Sequence, residues 1–250
     1  MHIIYNLEIV MRLFLWVFLL SSLISNVKGQ HTSPYTFRNS TEIALPVVGL
    51  GTAGLSYYFH RNKPTLTEKN IDNLTISDIN AFDRRAVYQW RPKSAHLSDA
   101  LMFTAIASPL LLMSSQKIRR DWEKPTVLGV EVFFLNLGLT GLTKELVRRP
   151  RPYVYNPDVP MSLKTSRDAT TSMYSGHTST AASMSMFSAM TLQHYHKGAK
   201  WMPLVWTSAI ILPLGTGILR YRAGKHFWSD IITGYVAGSL TGLLVPVLHR

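Results

Sequence analysis

Three short groups of polar residues stand directly beside uncharged stretches of the chain. They are residues 144–152, 174–178 and 220–230. An ionisable side chain costs about 2.5 to 3.5 kcal/mol in the middle of a bilayer, so charges kept beside apolar stretches are typical of functional sites. The three groups are therefore the candidates for chemistry.

The basic side chains in these groups suit a tetrahedral oxyanion. Lys144 offers a compact charge, and Arg151 and Arg220 offer planar forks that bind two oxygens side by side. Ser175 and Gly176 open the next apolar stretch, where the N–H groups of a helix N-terminus favour an anion and glycine permits close approach. Both features predict a bound phosphate.

Two histidines and one carboxylate indicate how a phosphate could react. His226 and Asp230 are four residues apart, so the carboxylate could accept a hydrogen bond from one imidazole nitrogen and leave the other as a nucleophile. His177 could protonate the leaving oxygen as general acid. No cluster at metal-ligand spacing accompanies the histidines. We therefore predict phosphoryl transfer through a phosphohistidine with no metal and no cofactor, the basic side chains supplying the positive charge.

The other arginines near these groups receive a different interpretation. Basic residues commonly flank membrane segments, so Arg148, Arg149 and Arg222 are interpreted as charges at the membrane interface. This interpretation predicts that replacing any of them by lysine changes activity only slightly.

The composition is that of a packed, apolar protein. Charged residues make up 16% of the 250 residues and hydrophobic ones 46%, which excludes intrinsic disorder. The absence of cysteine excludes disulfide scaffolds, cysteine–zinc sites and thiol nucleophiles. The net charge of +12 indicates anionic partners, and in so apolar a chain lipid phosphates and the membrane surface are favoured over nucleic acid.

Six stretches with few or no charges follow the polar N-terminal part of the chain. They are residues 43–59, 100–116, 125–143, 178–193, 201–219 and 231–248. Each is near the minimum needed to cross about 30 Å of hydrocarbon as a helix. The ten-residue alternation of barrel strands is not visible, so we predict an all-α fold, a six-helix transmembrane bundle.

The order of these helices predicts where the polar groups meet. If the last four helices alternate in direction, all three groups lie on one face of the membrane. Small residues at 178–183 and the glycines at 234, 238 and 242 predict close helix contacts. Residues 66–90 contain apolar residues at roughly helical spacing, which predicts one or two short interfacial helices.

The N-terminal thirty residues resemble a targeting segment. Arg12 precedes an uncharged run over residues 13–27, as in a signal peptide, and an uncleaved membrane anchor is the alternative. We accordingly divide the chain into a signal or anchor over residues 1–29, an N-terminal extension over 30–96 and a core over 97–250.

Taken together, the motifs resemble those of the type-2 phosphatidic acid phosphatase family, membrane relatives of bacterial class A acid phosphatases and vanadium haloperoxidases. The family signatures are Lys-x6-Arg-Pro, Pro-Ser-Gly-His and Ser-Arg-x5-His-x3-Asp. Their counterparts are Lys144, Arg151 and Pro152 for the first signature, Ser175, Gly176 and His177 for the second, and Arg220, His226 and Asp230 for the third. Tyr174 replaces the proline and Leu219 the serine, both at supporting positions.

The resemblance covers about residues 97–248 and implies a phosphatase/haloperoxidase-like core. It implies metal-free hydrolysis of a lipid phosphate or diphosphate, with His226 as nucleophile, His177 as acid, and the other matched residues as phosphate ligands or orienter. The candidate substrates are undecaprenyl diphosphate, phosphatidylglycerophosphate, phosphatidic acid and lipid A phosphates.

Two other functions are considered beside the lipid phosphatase. A vanadate-dependent haloperoxidase could use the same residues, but the spanning stretches argue against it. A non-enzymatic membrane protein of the same fold would be favoured by loss of His226 or Asp230, and both are present.

The expected location is an integral membrane protein, in a bacterial inner membrane with the site facing the periplasm. The basic loops at 117–120 and 197–200 lie opposite the site, which favours an external site by the positive-inside rule. A cleaved signal followed by six spanning helices would instead place the site in the cytoplasm. The side therefore stays open, with the external one preferred.

Overall fold

Helices form all the regular secondary structure in residues 33–250, the part of the chain that the computed structural model describes. The predicted signal or anchor lies outside the described residues. The α-helices are α1 (Asn39–Asn62), α2 (Glu68–Asp72), α3 (Pro92–Ala107), α4 (Gln116–Arg119), α5 (Glu123–Val147), α6 (Met161–Lys164), α7 (Gly176–Tyr195), α8 (Met202–Arg222) and α9 (Trp228–Leu248). Short 3₁₀ helices cover Ile76–Asp78, Arg84–Tyr88, Ser108–Ser114, Pro152–Tyr155 and Arg167–Thr170.

The long helices α1, α3, α5, α7, α8 and α9 each contain or overlap one of the six predicted stretches. Several of these helices are longer than the predicted stretches, because the end turns of a helix tolerate the charged residues that flank an apolar stretch. The helix α5 ends where Arg148 adopts a left-handed conformation with φ of 50°, two residues before Pro150. The all-α prediction is confirmed for the described residues.

Contacts between the long helices fix their directions. Gly138 and Gly141 of α5 contact Thr52 and Ser56 of α1, so α1 and α5 run parallel. Ser179 and Phe187 of α7 contact Thr140 and Gly129 of α5, so α5 and α7 run antiparallel. The helices α7 and α9 run parallel to each other, since Gly234, Gly238 and Gly242 of α9 contact Ser175, Ser179 and Ser183, respectively. Helix α8 runs antiparallel to α3, since Gly215 and Arg220 contact Leu101 and Ser98, and antiparallel to α7, since Trp206 and Gly217 contact Gln193 and Thr178. Directions therefore alternate along the chain. The ends of α1, α5 and α8 and the starts of α3, α7 and α9 lie at one end of the bundle, as predicted for the last four helices.

The packing of α7 against α9 explains the regular glycines. A Cβ on Gly238 would lie 2.1 Å from the carbonyl oxygen of Ser179, and one on Gly242 would lie 2.2 Å from that of Ser183. The opposite face of α9 carries Ile232, Val236, Leu240 and Leu244, each 51% exposed. One face of α9 thus approaches a backbone, and the other is an exposed apolar stripe of the kind that faces lipid.

Four helical segments of the described residues are long and apolar enough to cross a membrane. They are Pro92–Ser114, Glu123–Tyr155, Met202–Arg222 and Trp228–Leu248. The protein is therefore an integral membrane protein. The helix α7 is less apolar because α3, α5, α8 and α9 enclose it, so its own side chains need not face lipid.

The connection between α1 and α3 contains one short α-helix and two 3₁₀ helices, in the region predicted to hold one or two short helices. It lies at the end of the bundle where the polar groups meet. Residues Pro34–Arg250 form one compact unit, and the division of the chain at residues 29 and 96 stays a prediction.

Candidate active site

The three polar groups converge at one end of the bundle. Nη1 of Arg151 lies 3.4 Å from Nε2 of His226, which brings the first group to the third. The N–H of Ser175 donates to the carbonyl oxygen of Asp230 at 3.0 Å, which brings the second group to the third. The predicted convergence is therefore present in the structure.

His226 lies in the loop between α8 and α9 and has no exposed surface. Its Nδ1 is 2.8 Å from the carbonyl oxygen of Ser172, which can only accept, so Nδ1 carries the proton. The other nitrogen, Nε2, is then unprotonated in the neutral ring and faces the guanidinium of Arg151. This is the tautomer that a nucleophilic imidazole requires.

The charge state of His226 follows from its surroundings. Burial, together with the positive charges of Arg151, Lys144 and Arg220, holds the pKa of His226 well below its ordinary value of 6.5. The imidazole is therefore neutral at physiological pH, and its lone pair is available.

The predicted hydrogen bond from His226 to Asp230 is wrong. Nδ1 of His226 lies 3.8 Å from Oδ2 of Asp230, too far for a hydrogen bond. That oxygen instead accepts from the backbone N–H of Phe227 at 2.9 Å and from the hydroxyl of Ser172 at 2.5 Å. An acidic side chain in the first turn of a helix caps that turn, which is why Asp230 turns back toward Phe227. Asp230 therefore reaches His226 through Ser172.

Arg151 is fixed in the buried part of the site, with 4% of its surface exposed. Its Nε donates to the carbonyl oxygen of Asp168 at 2.9 Å, and Nη2 donates to Oδ1 of Asp168 at 2.8 Å and to the hydroxyl of Thr171 at 3.0 Å. These bonds leave Nη1 directed toward His226. The guanidinium is thus held in place on one edge, and on the other Nη1 donates to the carbonyl oxygen of Lys225 at 3.3 Å and lies 3.4 Å from Nε2 of His226.

The remaining predicted phosphate ligands surround the same region. Arg220 is 6% exposed, and its buried Nε has no hydrogen-bond partner among the described residues. Gly176 begins α7, with the side chain of Ser175 accepting from the N–H of Thr178 at 3.4 Å. A Cβ on Gly176 would lie 3.6 Å from Nζ of Lys144. The ammonium group of Lys144 and the first turn of α7 therefore face each other.

His177 has a partner that the sequence analysis missed. Its Nε2 lies 2.7 Å from Oδ1 of Asp99 in α3, and the same carboxylate oxygen lies 3.7 Å from Nη1 of Arg220. The side chain of His177 is 25% exposed, so it lies nearer the opening of the site than the buried His226. Asp99 directly precedes the second apolar stretch. Extending the alternation of helix directions to the helix of that stretch would have placed Asp99 at the site.

Arg149 is not the interface charge that was predicted. Its Nη1 donates to Oδ1 of Asp230 at 2.6 Å and its Nη2 to Oδ2 of Asp83 at 2.8 Å, while the guanidinium lies 4.0 Å from the ring centroid of Phe227. Both carboxylates are fully buried and need a positive partner. The hydroxyl of Ser229 accepts from Arg149 at 2.8 Å. Arg149 therefore joins the connection before α3 to the residues that support His226.

The sequence pattern did not indicate a role for Asp83, because its contacts with Arg149 and Ser229 form only when distant segments pack together. Its pKa is affected most by burial, which raises it, but the hydrogen bonds from Arg149 and Ser229 outweigh burial and lower the pKa. The carboxylate is therefore ionised. Arg148 and Arg222, in contrast, are exposed, as an interface position requires.

Residues 124–250, just over half of the chain, match the sequence profile of the PAP2 superfamily. Over 83 residues the chain is 32% identical to Phospholipid phosphatase 1 of Rattus norvegicus, a match that covers 32% of this chain and 29% of that protein. The chain thus spans less than a third of the length of that curated relative.

The fold is similar to the crystal structure of the first transmembrane PAP2 type phosphatidylglycerolphosphate phosphatase from Bacillus subtilis. The two chains are 19% identical, the match covers 95% of this chain and 94% of that one, and the TM-score is 0.47. The profile match contains all three motifs, whose residues the fold brings together. The chain therefore belongs to the PAP2 superfamily.

Proposed function

We propose that the protein hydrolyses a lipid phosphate or diphosphate through a phosphohistidine on His226. The observation that carries the proposal is the arrangement of this ring, whose Nδ1 donates to Ser172 while Nε2 faces Nη1 of Arg151. A neutral imidazole nitrogen next to a fixed guanidinium is suited to attack a phosphorus whose oxygens the guanidinium binds.

In the first step Nε2 of His226 forms a bond to phosphorus, and the bond from phosphorus to the lipid oxygen breaks. His177 donates a proton to that oxygen, so the lipid leaves as an alcohol, or as a monophosphate when the substrate is a diphosphate. Oδ1 of Asp99 lies 2.7 Å from Nε2 of His177 and orients the ring for the transfer. This pairing supports the assignment of His177 as the acid.

In the second step a water molecule attacks the phosphohistidine. His177, now neutral, takes a proton from the water, and the bond from phosphorus to Nε2 breaks to release inorganic phosphate. Asp230 does not contact the imidazole directly, so we assign it the role of holding Ser172, whose carbonyl group fixes the ring. Asp230 is then a positioning residue.

Positive charge for the transferred group comes from Lys144, Arg151 and Arg220, with the first turn of α7 at Ser175 and Gly176. These groups stabilise the negative charge that spreads over the phosphoryl oxygens. His177 donates the proton in the first step and takes one up in the second. The proposed reaction therefore needs no metal ion.

The depths of the two histidines orient the substrate. Because His226 is buried and His177 is partly exposed, the phosphate group enters first and the lipid portion remains toward the opening. The candidate substrates stay those named above, all of which carry a phosphate on a lipid chain.

We further propose that all six long helices cross the membrane, including α1 and α7. Their alternating directions place the basic loops at 117–120 and 197–200 at the end opposite the site. By the positive-inside rule, the active site then faces the non-cytoplasmic side.

Phosphate release tests the proposed function. The full chain in detergent is offered phosphatidic acid, phosphatidylglycerophosphate, undecaprenyl diphosphate and lipid A phosphates in the presence of a chelator, with His226→Ala as the control. We expect release from at least one lipid and none from the variant. Activity that disappears with chelator and returns with magnesium would contradict the mechanism, and peroxide-dependent halide oxidation as the main activity would contradict the function.

A further inference from the structure

A second group of ionisable side chains lies at the end of the bundle away from the active site. Glu42 in the first turn of α1, Glu131 in α5 and His249 directly after α9 offer three ligand atoms that all lie within 4.8 Å of one another. Glu131 precedes Lys144 by 13 residues in the same helix, so the two sites are separated by about 20 Å along α5. The group has no part in the proposed hydrolysis.

The orientation of His249 is that of a metal ligand. Its Nδ1 lies 2.8 Å from the carbonyl oxygen of Val245 and donates to it, which leaves Nε2 as the nitrogen that faces the two carboxylates. Histidines that bind metals typically donate their second nitrogen in this way, which fixes both the tautomer and the ring. The backbone is held as well, since the N–H of Thr36 donates to the carbonyl oxygen of His249 at 2.6 Å.

The facing atoms lie at ion-pair distances but form no hydrogen bond with one another. Nε2 of His249 lies 2.8 Å from Oε1 of Glu42 and 3.5 Å from Oε2 of Glu131. Nevertheless, within residues 33–250, Nε2 has no hydrogen-bond partner, and the same holds for both oxygens of Glu131 and for Oε1 of Glu42. The atoms therefore surround a common space, and the geometry between them is not that of hydrogen bonds.

Burial makes this arrangement costly without a cation. Glu131 is 4% exposed and His249 is 1% exposed, and a buried ionised carboxylate needs a pairing charge or a metal ion. A divalent ion bound between the two carboxylates would balance their charge. The Glu42 side chain is 23% exposed, so one side of the group is open to an entering ion and to a water ligand.

We propose that Glu42, Glu131 and His249 bind a divalent transition-metal ion of the zinc class. One imidazole nitrogen and two carboxylate oxygens are common zinc ligands, and imidazole disfavours magnesium and calcium. The ion joins α1, α5 and the end of α9, so its role is to stabilise the bundle. These three residues are far apart in the chain, so their spacing in the sequence predicts no metal site.

Cobalt binding tests the site directly. The full chain in detergent is stripped with chelator, dialysed and titrated with Co²⁺, whose visible absorption reports nitrogen and oxygen ligands, and Zn²⁺ is then added as competitor. We expect one Co²⁺ per chain, displaced by Zn²⁺, and a higher Tm with Zn²⁺ than after stripping.

Matched variants locate the ion. Glu131→Gln keeps the size of the side chain and should abolish both the absorption and the Tm increase, while phosphate release stays unchanged. His96→Ala, at an exposed histidine outside both sites, and His226→Ala, at the active site, should leave the absorption intact. Absence of bound Co²⁺ in the wild type would overturn the proposal, as would binding that survives in Glu131→Gln or disappears in His226→Ala. The absorption and Tm readings do not depend on turnover, so failure of this site is distinct from failure of the proposed function.

Discussion

At the scale of single residues, the two histidines have roles that different substrates can separate. His177→Ala removes the proton that a lipid alkoxide needs to leave, but a nitrophenolate leaves without one. We expect the variant to lose nearly all phosphate release from the lipid substrate while still releasing nitrophenol in the first turnover, after which the phosphohistidine accumulates. Single-turnover rates on both substrates measure the difference. If both activities fall by the same factor, His177 binds the phosphate rather than protonating the leaving group.

Arg149 and Arg222 form a matched pair of arginines near the site. Arg149 bridges the buried carboxylates of Asp83 and Asp230, whereas Arg222 is exposed. A lysine cannot bind two carboxylates with separate nitrogens, so Arg149→Lys should lower kcat by about 10- to 100-fold, the value of one charge-assisted hydrogen bond. Because Arg149 has a positioning role, we expect KM to change little. Arg222→Lys should leave both constants within a small factor.

A comparison of Arg149→Lys with Arg222→Lys also distinguishes loss of the contacts that position His226 from a general loss of stability. Thermal unfolding of Arg149→Lys shows whether the protein remains folded at the assay temperature. If folded Arg149→Lys retains wild-type kcat, the network through Asp230 and Ser172 does not position the nucleophile.

The residues proposed for the site could be selected from the sequence because they lie in short segments at helix ends. Lys144 and Arg151, Ser175 to His177, and Arg220 to Asp230 are each within one short segment at a helix end. The contacts of Asp83, Asp99 and Arg149 were not predicted, since their partners come from other segments; only Asp99 could have been placed at the site, from the alternation of helix directions. The capping role of Asp230 was missed for another reason. An acid four residues after a histidine can turn either to the ring or to the backbone of its own first turn, and the sequence does not decide between them.

At the scale of helices, the contact between α7 and α9 depends on glycine. A Cβ on Gly238 would lie 2.1 Å from the carbonyl oxygen of Ser179, and backbone there cannot move without shifting the start of α7. Gly238→Ala should destabilise the protein by about 1 to 3 kcal/mol, or roughly 2 to 12 °C in Tm. Thermal unfolding in detergent measures this change.

Gly54 is the control for that substitution, because a Cβ there meets no atom within 4 Å. Gly54→Ala should leave Tm unchanged or raise it slightly, since alanine favours a helix. Equal Tm values for Gly238→Ala and the wild type would show that α7 and α9 are further apart than described.

Helix positions were predictable from apolar stretches, but helix ends were not. The helix α3 begins at Pro92, eight residues before the predicted stretch, because proline suits the first turn and polar residues are tolerated there. It ends at Ala107 and continues as a 3₁₀ helix, with Pro109 in its first turn. Hydropathy is also a weak guide for α7, whose small polar side chains are enclosed by other helices.

At the scale of the whole molecule, the orientation in the membrane can be tested because the chain has no cysteine. Asp158 is exposed in the loop beside the site, and Lys197 is exposed in a loop at the opposite end. In intact cells, a membrane-impermeant maleimide should label Asp158→Cys and should label Lys197→Cys only after lysis. The reverse pattern would place the active site in the cytoplasm.

The central claim is that phosphate is transferred to His226. His177→Ala is the most informative protein for this test, since nitrophenyl phosphate can still form the phosphohistidine while the base for its hydrolysis is missing. The measurement is rapid acid-free quenching in the presence of chelator, followed by mass spectrometry of the peptide that contains His226. We expect an acid-labile phosphate on His226, more in His177→Ala than in the wild type and none in His226→Ala. Continued turnover with no phosphate on His226, or a phosphate on another residue, would contradict the account.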